Sequence, residues 1–245
     1  MKNLINEIKI TLRNIPGTVT SIFILSVVLM NILANKSIIN LPFLSVTSGI
    51  ALSWISYLCM DCVCKHFGAR AATILNGFAM IVNLLSSILV ALILLIPGIW
   101  ASALGIADIS VSELINSSLD STMSSTWYVV IGSSIAMLLG GTANSLLNKL
   151  IGKFVNNNSY AGFLIRSATS TAFGQLIDNL VFALFVSYIF FGWTLPQVIG
   201  CSIFGMLLEL IIEVIFSPIG YKITKKWQKD NLGREYVEFI HNKEI

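Results

Sequence analysis

What most constrains this chain is the length of its apolar runs. A helix needs roughly 20 apolar residues to cross the hydrocarbon core of a bilayer. Six stretches qualify: residues 18–39, 43–63, 71–97, 126–150, 162–191 and 196–221. In lipid every backbone polar group must be bonded within the protein, so runs of this length select helices. Composition agrees, with 56% hydrophobic and 11% charged residues where a soluble domain carries about a quarter charged. The expected fold class is therefore all-α: an integral membrane six-helix bundle forming one membrane domain over residues 1–245.

The flanks read as membrane-surface segments. In MKNLINEIKITLRNIPG, Leu4, Ile5, Ile8, Ile10 and Leu12 alternate with Lys2, Glu7, Lys9 and Arg13. That pattern suits an interfacial amphipathic helix over residues 1–16 rather than a cleavable signal. Pro16-Gly17 then supplies a turn before the first span.

Basic residues orient the spans. Lys2, Lys9, Arg13, Lys65, Arg70, Lys149 and Lys153 fall on one side, with Lys222, Lys225, Lys226, Lys229, Arg234 and Lys243 of the tail. Lys36 stands opposite. The expectation is a multi-pass protein of the cell (inner or plasma) membrane with both termini cytoplasmic. Residues 98–125 form the outer loop, acidic at Asp108, Glu113 and Asp120. Its middle, DISVSELINSSLDS, reads equally as a short helix capping the bundle or as a solvated loop. The basic tail, residues 222–245, reads as an anchor against anionic headgroups.

Polar residues recur inside the spans. Ser167, Ser170, Thr171, Gly174, Gln175 and Asp178 follow three- and four-residue steps, one face of the fifth helix. Arg166 opens the same helix, and Asp178 lies about 18 Å deeper at roughly 1.5 Å per residue, near mid-membrane. Glu209 and Glu213 share a face of the sixth helix and resist joint ionisation. Asp61 closes the second span. Asn76 and Asn83 share a face of the third, while Gly132, Ala136, Gly140, Asn144 and Asn148 step by four along the fourth. Small residues allow close helix approach and asparagines bond across it, so this stripe reads as structural. An intramembrane carboxylate costs a few kcal/mol and persists against a partner or a wetted cavity. For Asp178, Glu209 and Glu213 the binding reading is preferred over a polar knot that only fixes packing.

Three echoes fall in order between the halves: NILAN with NSLLN, SVTSGIA with SATSTAF, and LIPGI with FSPIG. They suggest a 3+3 inverted repeat, an arrangement that places substrates between the halves.

MNILANK, DCVCKHFGARAA, IRSATSTAFGQLIDNLVF and LLELIIEVIFSPIGY together resemble motifs of the vitamin uptake transporter family, whose characterised members are queuosine precursor transporters. The fifth-helix motif is the specific one, matching at Arg166, Ser167, Gly174, Gln175, Asp178 and Phe182. Two charges depart from the family pattern: Lys65 stands where it has an acidic residue, and Glu209 where it has a lysine. The resemblance implies import of a 7-deazaguanine base such as 7-cyano- or 7-aminomethyl-7-deazaguanine, or queuine. A carboxylate accepts the guanine-like N1–H and exocyclic amine as a bidentate pair. Asp178 or one of the glutamates fits that role, and Gln175 and Asn179 could read the carbonyl. Trp54 and Tyr57 either stack on the ring or anchor at the interface. Arg166 would gate the cytoplasmic mouth, and Asn31, Asn35 and Asp61 complete the candidate binding set.

No catalytic residues, cofactor or metal are expected. Cys59, Cys62 and Cys64 with His66 are too loosely spaced for a metal site and read as reduced thiols. GxxxxGK[ST] is absent, so the chain does not itself use ATP. Nothing suggests nucleic-acid binding. Expected partners are a purine-like small molecule and membrane lipid; a homodimer and proton coupling are both allowed. The competing readings are a substrate-binding subunit for another vitamin that needs ATPase partners, and a non-transporting membrane protein.

Overall fold

The computed structural model describes residues 2–100, 102, 105, 108–124, 126–155 and 159–244. The side chains of Lys2 and Lys243, which figure in the charge pattern, lie outside this description.

The chain is mostly helical. Helix α1 (Lys2–Asn14) meets α2 (Gly17–Leu33) at a bend of about 103°, at the Pro16-Gly17 turn. Strands β1 (Ser37–Leu41) and β2 (Leu44–Thr47) follow. Then come α3 (Ile50–Phe67), α4 (Ala69–Ile93), α5 (Ile109–Ser124), α6 (Thr126–Ile151) and α7 (Tyr160–Phe182). A π-helical turn (Ala183–Tyr188) prolongs α7, and α8 (Leu195–Lys229) and α9 (Arg234–Glu244) complete the chain.

Many polar residues lie in the interior beside the hydrophobic core, and many large aliphatic ones lie outside. Asn31, Asp61, Asn76, Asn144, Asn148, Ser167, Ser170, Gln175, Glu209 and Glu213 are buried. Ile81, Leu85 and Leu92 of α4 and Ile203, Leu207, Ile211 and Ile215 of α8 are exposed. Such an exterior has lipid as its natural solvent, where aliphatic surface costs nothing and unpaired polar groups cost several kcal/mol. Among the described residues four helices are long and apolar enough to cross a bilayer, or five with the bent α1–α2 pair. The protein is a multi-pass helical membrane protein.

The second expected span is the one the structure reshapes. Residues 37–47 (SIINLPFLSVT) form an antiparallel hairpin, so the chain is not purely helical. Asn40 pairs with Ser45 and Leu41 with Leu44 around the Pro42-Phe43 turn. The segment carries the β-branched Ile38, Ile39, Val46 and Thr47, and Pro42 sits in the turn, which its fixed φ suits. Only 18 residues remain for α3, Asp61 and Lys65 among them, and it falls outside the four. The hairpin docks on the start of α8: Gln197 Nε2 donates to Leu41 O at 2.9 Å and Ser45 Oγ at 3.2 Å. Gly200 admits the Phe43 backbone, which a Cβ would strike.

The segment expected as an outer loop does contain a helix. Asp108 caps α5, accepting from the amides of Ser110 (2.9 Å) and Val111 (3.2 Å) and from the Ser110 hydroxyl (2.6 Å). These donors hold the Asp108 carboxyl below its usual range. No residue of α5 is buried.

At the other end, α8 runs past the expected limit at residue 221 to Lys229, through Pro218. The tail carries a further helix. Helix α9 returns to α1, where Glu235 accepts from Arg13 and, at 3.1 Å, from Asn14 Nδ2. Beside it Arg70 grips the buried Glu7 with Nε and Nη2. Tyr236 packs edge-on to Phe67, and His66 Nε2 lies 2.9 Å from Leu232 O.

The tightest helix crossing is α6 against α7. A Cβ on Gly140 would sit 2.6 Å from Gly174 O, and one on Gly174 would sit 3.0 Å from Gly140 O. The stripe of small residues and asparagines read on the fourth span is thus the packing seam, as small residues at a close membrane crossing should be.

Candidate functional site

Helix α7 distributes its polar face to two places. Its first half feeds a sealed polar knot and its second half lines a cavity.

The knot centres on Asp61, which is 0% exposed. Asn144 and Asn148 of α6 donate to its Oδ1 at 3.0 and 3.1 Å. Ser167 and Thr171 of α7 donate to its Oδ2, Thr171 at 3.3 Å. The same Ser167 hydroxyl lies within bonding distance of Glu213 Oε1 on α8. Asn148 also donates to Ser170 Oγ at 3.1 Å and accepts from Arg166 Nε. Four helices thus meet through neutral donors around two carboxylates. Asp61, expected near the end of its span, is the hub of the interior.

The cavity lies on the hairpin side of the knot and holds about 610 Å³ of empty space, its mouth included. Asn31 of α2, Val46 and Thr47 of β2, Ser53 of α3, Ser133 of α6 and Glu209 of α8 contribute to its wall. Asp178, Asn179, Phe182, Ser187 and Trp193 supply the α7 side and the connection to α8. The π turn carries the wall from Phe182 to Ser187, whose buried hydroxyl has no hydrogen-bond partner in the structure. Such turns recur at functional sites because they break the regular hydrogen-bond ladder.

Two carboxylates border this space, Asp178 half-buried and Glu209 almost wholly buried. Glu209 is held on both oxygens: Ser53 donates to Oε1, and Asn179 Nδ2 to Oε2 at 3.0 Å. Asp178 is half-buried, and the part left open looks into the cavity. Behind it stand the Tyr57 hydroxyl and Gly140; both Tyr57 Oη and Asp178 Cβ would touch a Cβ on Gly140, at 3.0 and 2.7 Å.

The remaining expected site residues fall elsewhere. Glu209 and Glu213, one turn apart on α8, do not act as a pair: the first belongs to the cavity and the second to the knot. Gln175 is 0% exposed, with neither amide atom hydrogen-bonded, and lies between the two clusters along α7. Asn35 donates to Thr126 Oγ1 at 3.2 Å, away from the cavity. Trp54 stacks on Phe216 at 4.4 Å between ring centroids, so its face is already covered, and Tyr57 packs behind Asp178. The aromatic rings at the cavity are Phe182 and Trp193. Trp193 lies in the turn before α8, at the boundary between two apolar runs, which read alone as an interfacial residue. Arg166 lines a separate cleft at the opposite end with Lys65, Phe163, Tyr221 and Lys225. There Lys65 Nζ sits 3.2 Å above the Phe163 ring. Among the described residues no group of three or more His, Cys, Asp or Glu could hold a metal ion.

The site is thus a cavity in a helical membrane bundle, bordered by two carboxylates and two aromatic side chains. Residues 47–223 match a family model described as "Putative vitamin uptake transporter", and the chain belongs to that family. The chain matches no curated protein and no solved structure. The match takes in Asp61, Asp178, Asn179, Phe182, Trp193, Glu209 and Glu213, and so covers the knot and most of the cavity wall.

Proposed function

We propose that the chain imports a flat heteroaromatic solute, a queuosine precursor of the 7-deazaguanine type, through the cavity beside Asp178. The single observation that carries this reading is a carboxylate facing an interior cavity with aromatic side chains in its wall. A guanine-like edge presents N1–H and an exocyclic amine side by side, and a carboxylate takes both in a bidentate pair. Phe182 and Trp193 offer faces on which a flat ring stacks. Asn31, Asn179, Ser133 and Ser187 in the wall supply the polar groups that would bond the carbonyl and ring nitrogens.

In this reading the six expected crossings stand with both termini on the cytoplasmic side of the cell membrane. The halves relate as an inverted repeat, and the hairpin closes the outer end of the path. The basic cleft around Lys65, Arg166 and Lys225 forms the inner end. The family assignment supports transport over an enzymatic role.

The test is uptake of radiolabelled 7-aminomethyl-7-deazaguanine and 7-cyano-7-deazaguanine into proteoliposomes holding the purified chain alone. Wild type should accumulate label and Asp178→Asn should not, at equal insertion and equal melting temperature. Equal uptake by both proteins rejects the role of Asp178. Binding without uptake would favour a subunit that needs ATPase partners.

A further inference from the structure

Resting on the deazaguanine reading of the cavity, we infer that the site selects a solute carrying a positive charge as well as a flat hydrogen-bonding edge, and that Glu209 supplies the counter-charge.

Asp178 and Glu209 both line the cavity, and among its described lining residues there is no lysine, arginine or histidine. Lys65, Arg166 and Lys225 line the cleft at the other end of the bundle. Two carboxylates around one poorly solvated space repel each other and lack compensation, a costly state in a low-dielectric interior. A neutral base removes neither cost. A cationic ligand removes both.

The two carboxylates are not equivalent. Ser53 and Asn179 place one donor on each oxygen of Glu209. Its forked edge is therefore in use, and it is a poor receiver for the paired N–H groups of a guanine-like ring. Its donors are neutral, so no positive side chain stands beside it. An ammonium asks for charge and any accessible lone pair, not for a flat fork. Asp178 has its open surface on the cavity and remains suited to the planar edge. The division of labour is thus Asp178 for the ring edge and Glu209 for the charge. A primary alkyl amine is protonated at neutral pH, as lysine is. Among deazaguanines the 7-aminomethyl compound carries such a group and the 7-cyano compound does not.

The experiment is isothermal titration of the purified full chain with each compound, in wild type and in Glu209→Gln, with thermal melts as a check on folding. The readout is the ratio of the two affinities within each protein, so a general loss of active protein cancels. Wild type should bind the aminomethyl compound about tenfold or more tightly than the cyano compound, the scale of one charge-assisted bond. Glu209→Gln should bring the ratio close to one. Equal affinities in wild type, or an unchanged ratio in the variant, overturn the inference and leave the deazaguanine reading standing. If wild type binds neither compound, that reading falls, and thiamine, a permanently cationic heteroaromatic, decides the charge selection by itself. Thiamine binding that Glu209→Gln weakens about tenfold upholds it; no thiamine binding, or binding indifferent to the substitution, overturns it.

Discussion

Asn179 Nδ2 donates to Glu209 Oε2 at 3.0 Å, and that bond ties α7 to α8 at the cavity wall. It makes Asn179 a positioning residue for the Glu209 carboxylate. Asn179→Ala should lower stability by about 1–3 kcal/mol, the worth of a hydrogen bond to a charged group. Asn179→Asp should cost more, because it replaces a donor with a third negative charge. Melting temperatures in detergent give the order; an Asn179→Asp variant as stable as wild type contradicts it.

The Asp61 knot is expected to be the costliest place to mutate. Asp61→Ala leaves the donors of Asn144, Asn148, Ser167 and Thr171 facing a void. The loss should be on the order of 3 kcal/mol or more. Asp61→Asn keeps the shape and one acceptor oxygen and should lose less. A double-mutant cycle of Asp61→Ala with Asn144→Ala should show coupling above about 0.5 kcal/mol, since the residues share a bond. Additive losses would mean the knot is not one unit.

Gly140 tests the α6–α7 seam. A Cβ there meets Gly174 O at 2.6 Å and Asp178 Cβ at 2.7 Å, and neither helix can yield without opening the crossing. Gly140→Val should destabilise by at least about 1–3 kcal/mol and disturb the cavity through Asp178. Gly77 on α4 has nothing within 4 Å of the same position. Gly77→Ala should be neutral or stabilising by up to about 1 kcal/mol, because it removes backbone freedom from a helix. Thermal melts of the two variants should move in opposite directions, or only Gly140→Val should move.

The clasp between α1 and α9 predicts both a protease result and a pH result. Glu7→Ala removes the partner of Arg70 beneath Tyr236, and cleavage after Lys229 should become faster under limited trypsin digestion. Burial first, and the Glu7 charge second, push the Tyr236 phenol up to about 12. Its folded pKa lies above the ordinary value near 10, so the proton is held more tightly in the folded state. The clasp should keep this contribution at neutral pH and lose it as pH rises from about 10 towards 12. A tail equally resistant in Glu7→Ala would place the holding force elsewhere.

The helical membrane class could be read from the chain itself, because the bilayer acts on each segment separately. Run length, apolarity and a proline-glycine turn are local quantities, and they foreshadow the bend after α1 and long helices where α4, α6, and α7 with its π turn stand. The α6 stripe and the polar face of α7 were legible for the same reason: three- and four-residue spacing is a property of one helix. Residues 37–47 misled because an apolar, β-branched run suits a strand or a membrane helix, and its docking on Gln197 and Gly200 decides between them.

The partners of each polar side chain were settled only by the tertiary structure. Sequence spacing put Glu209 and Glu213 on one face, but a face is shared by neighbours at different depths. Ser53 and Asn179 draw Glu209 to the cavity, while Ser167 draws Glu213 to Asp61. Trp54 was a fair candidate for ring stacking until Phe216 covered it, and Trp193 became one only when the turn before α8 folded over the space beside Asp178. The sequence by itself determined that carboxylates would be buried in a membrane bundle, since their cost obliges them to face inward. Which would be sealed and which would border an open space depended on contacts between helices far apart in the chain, and these exist only once the bundle has assembled.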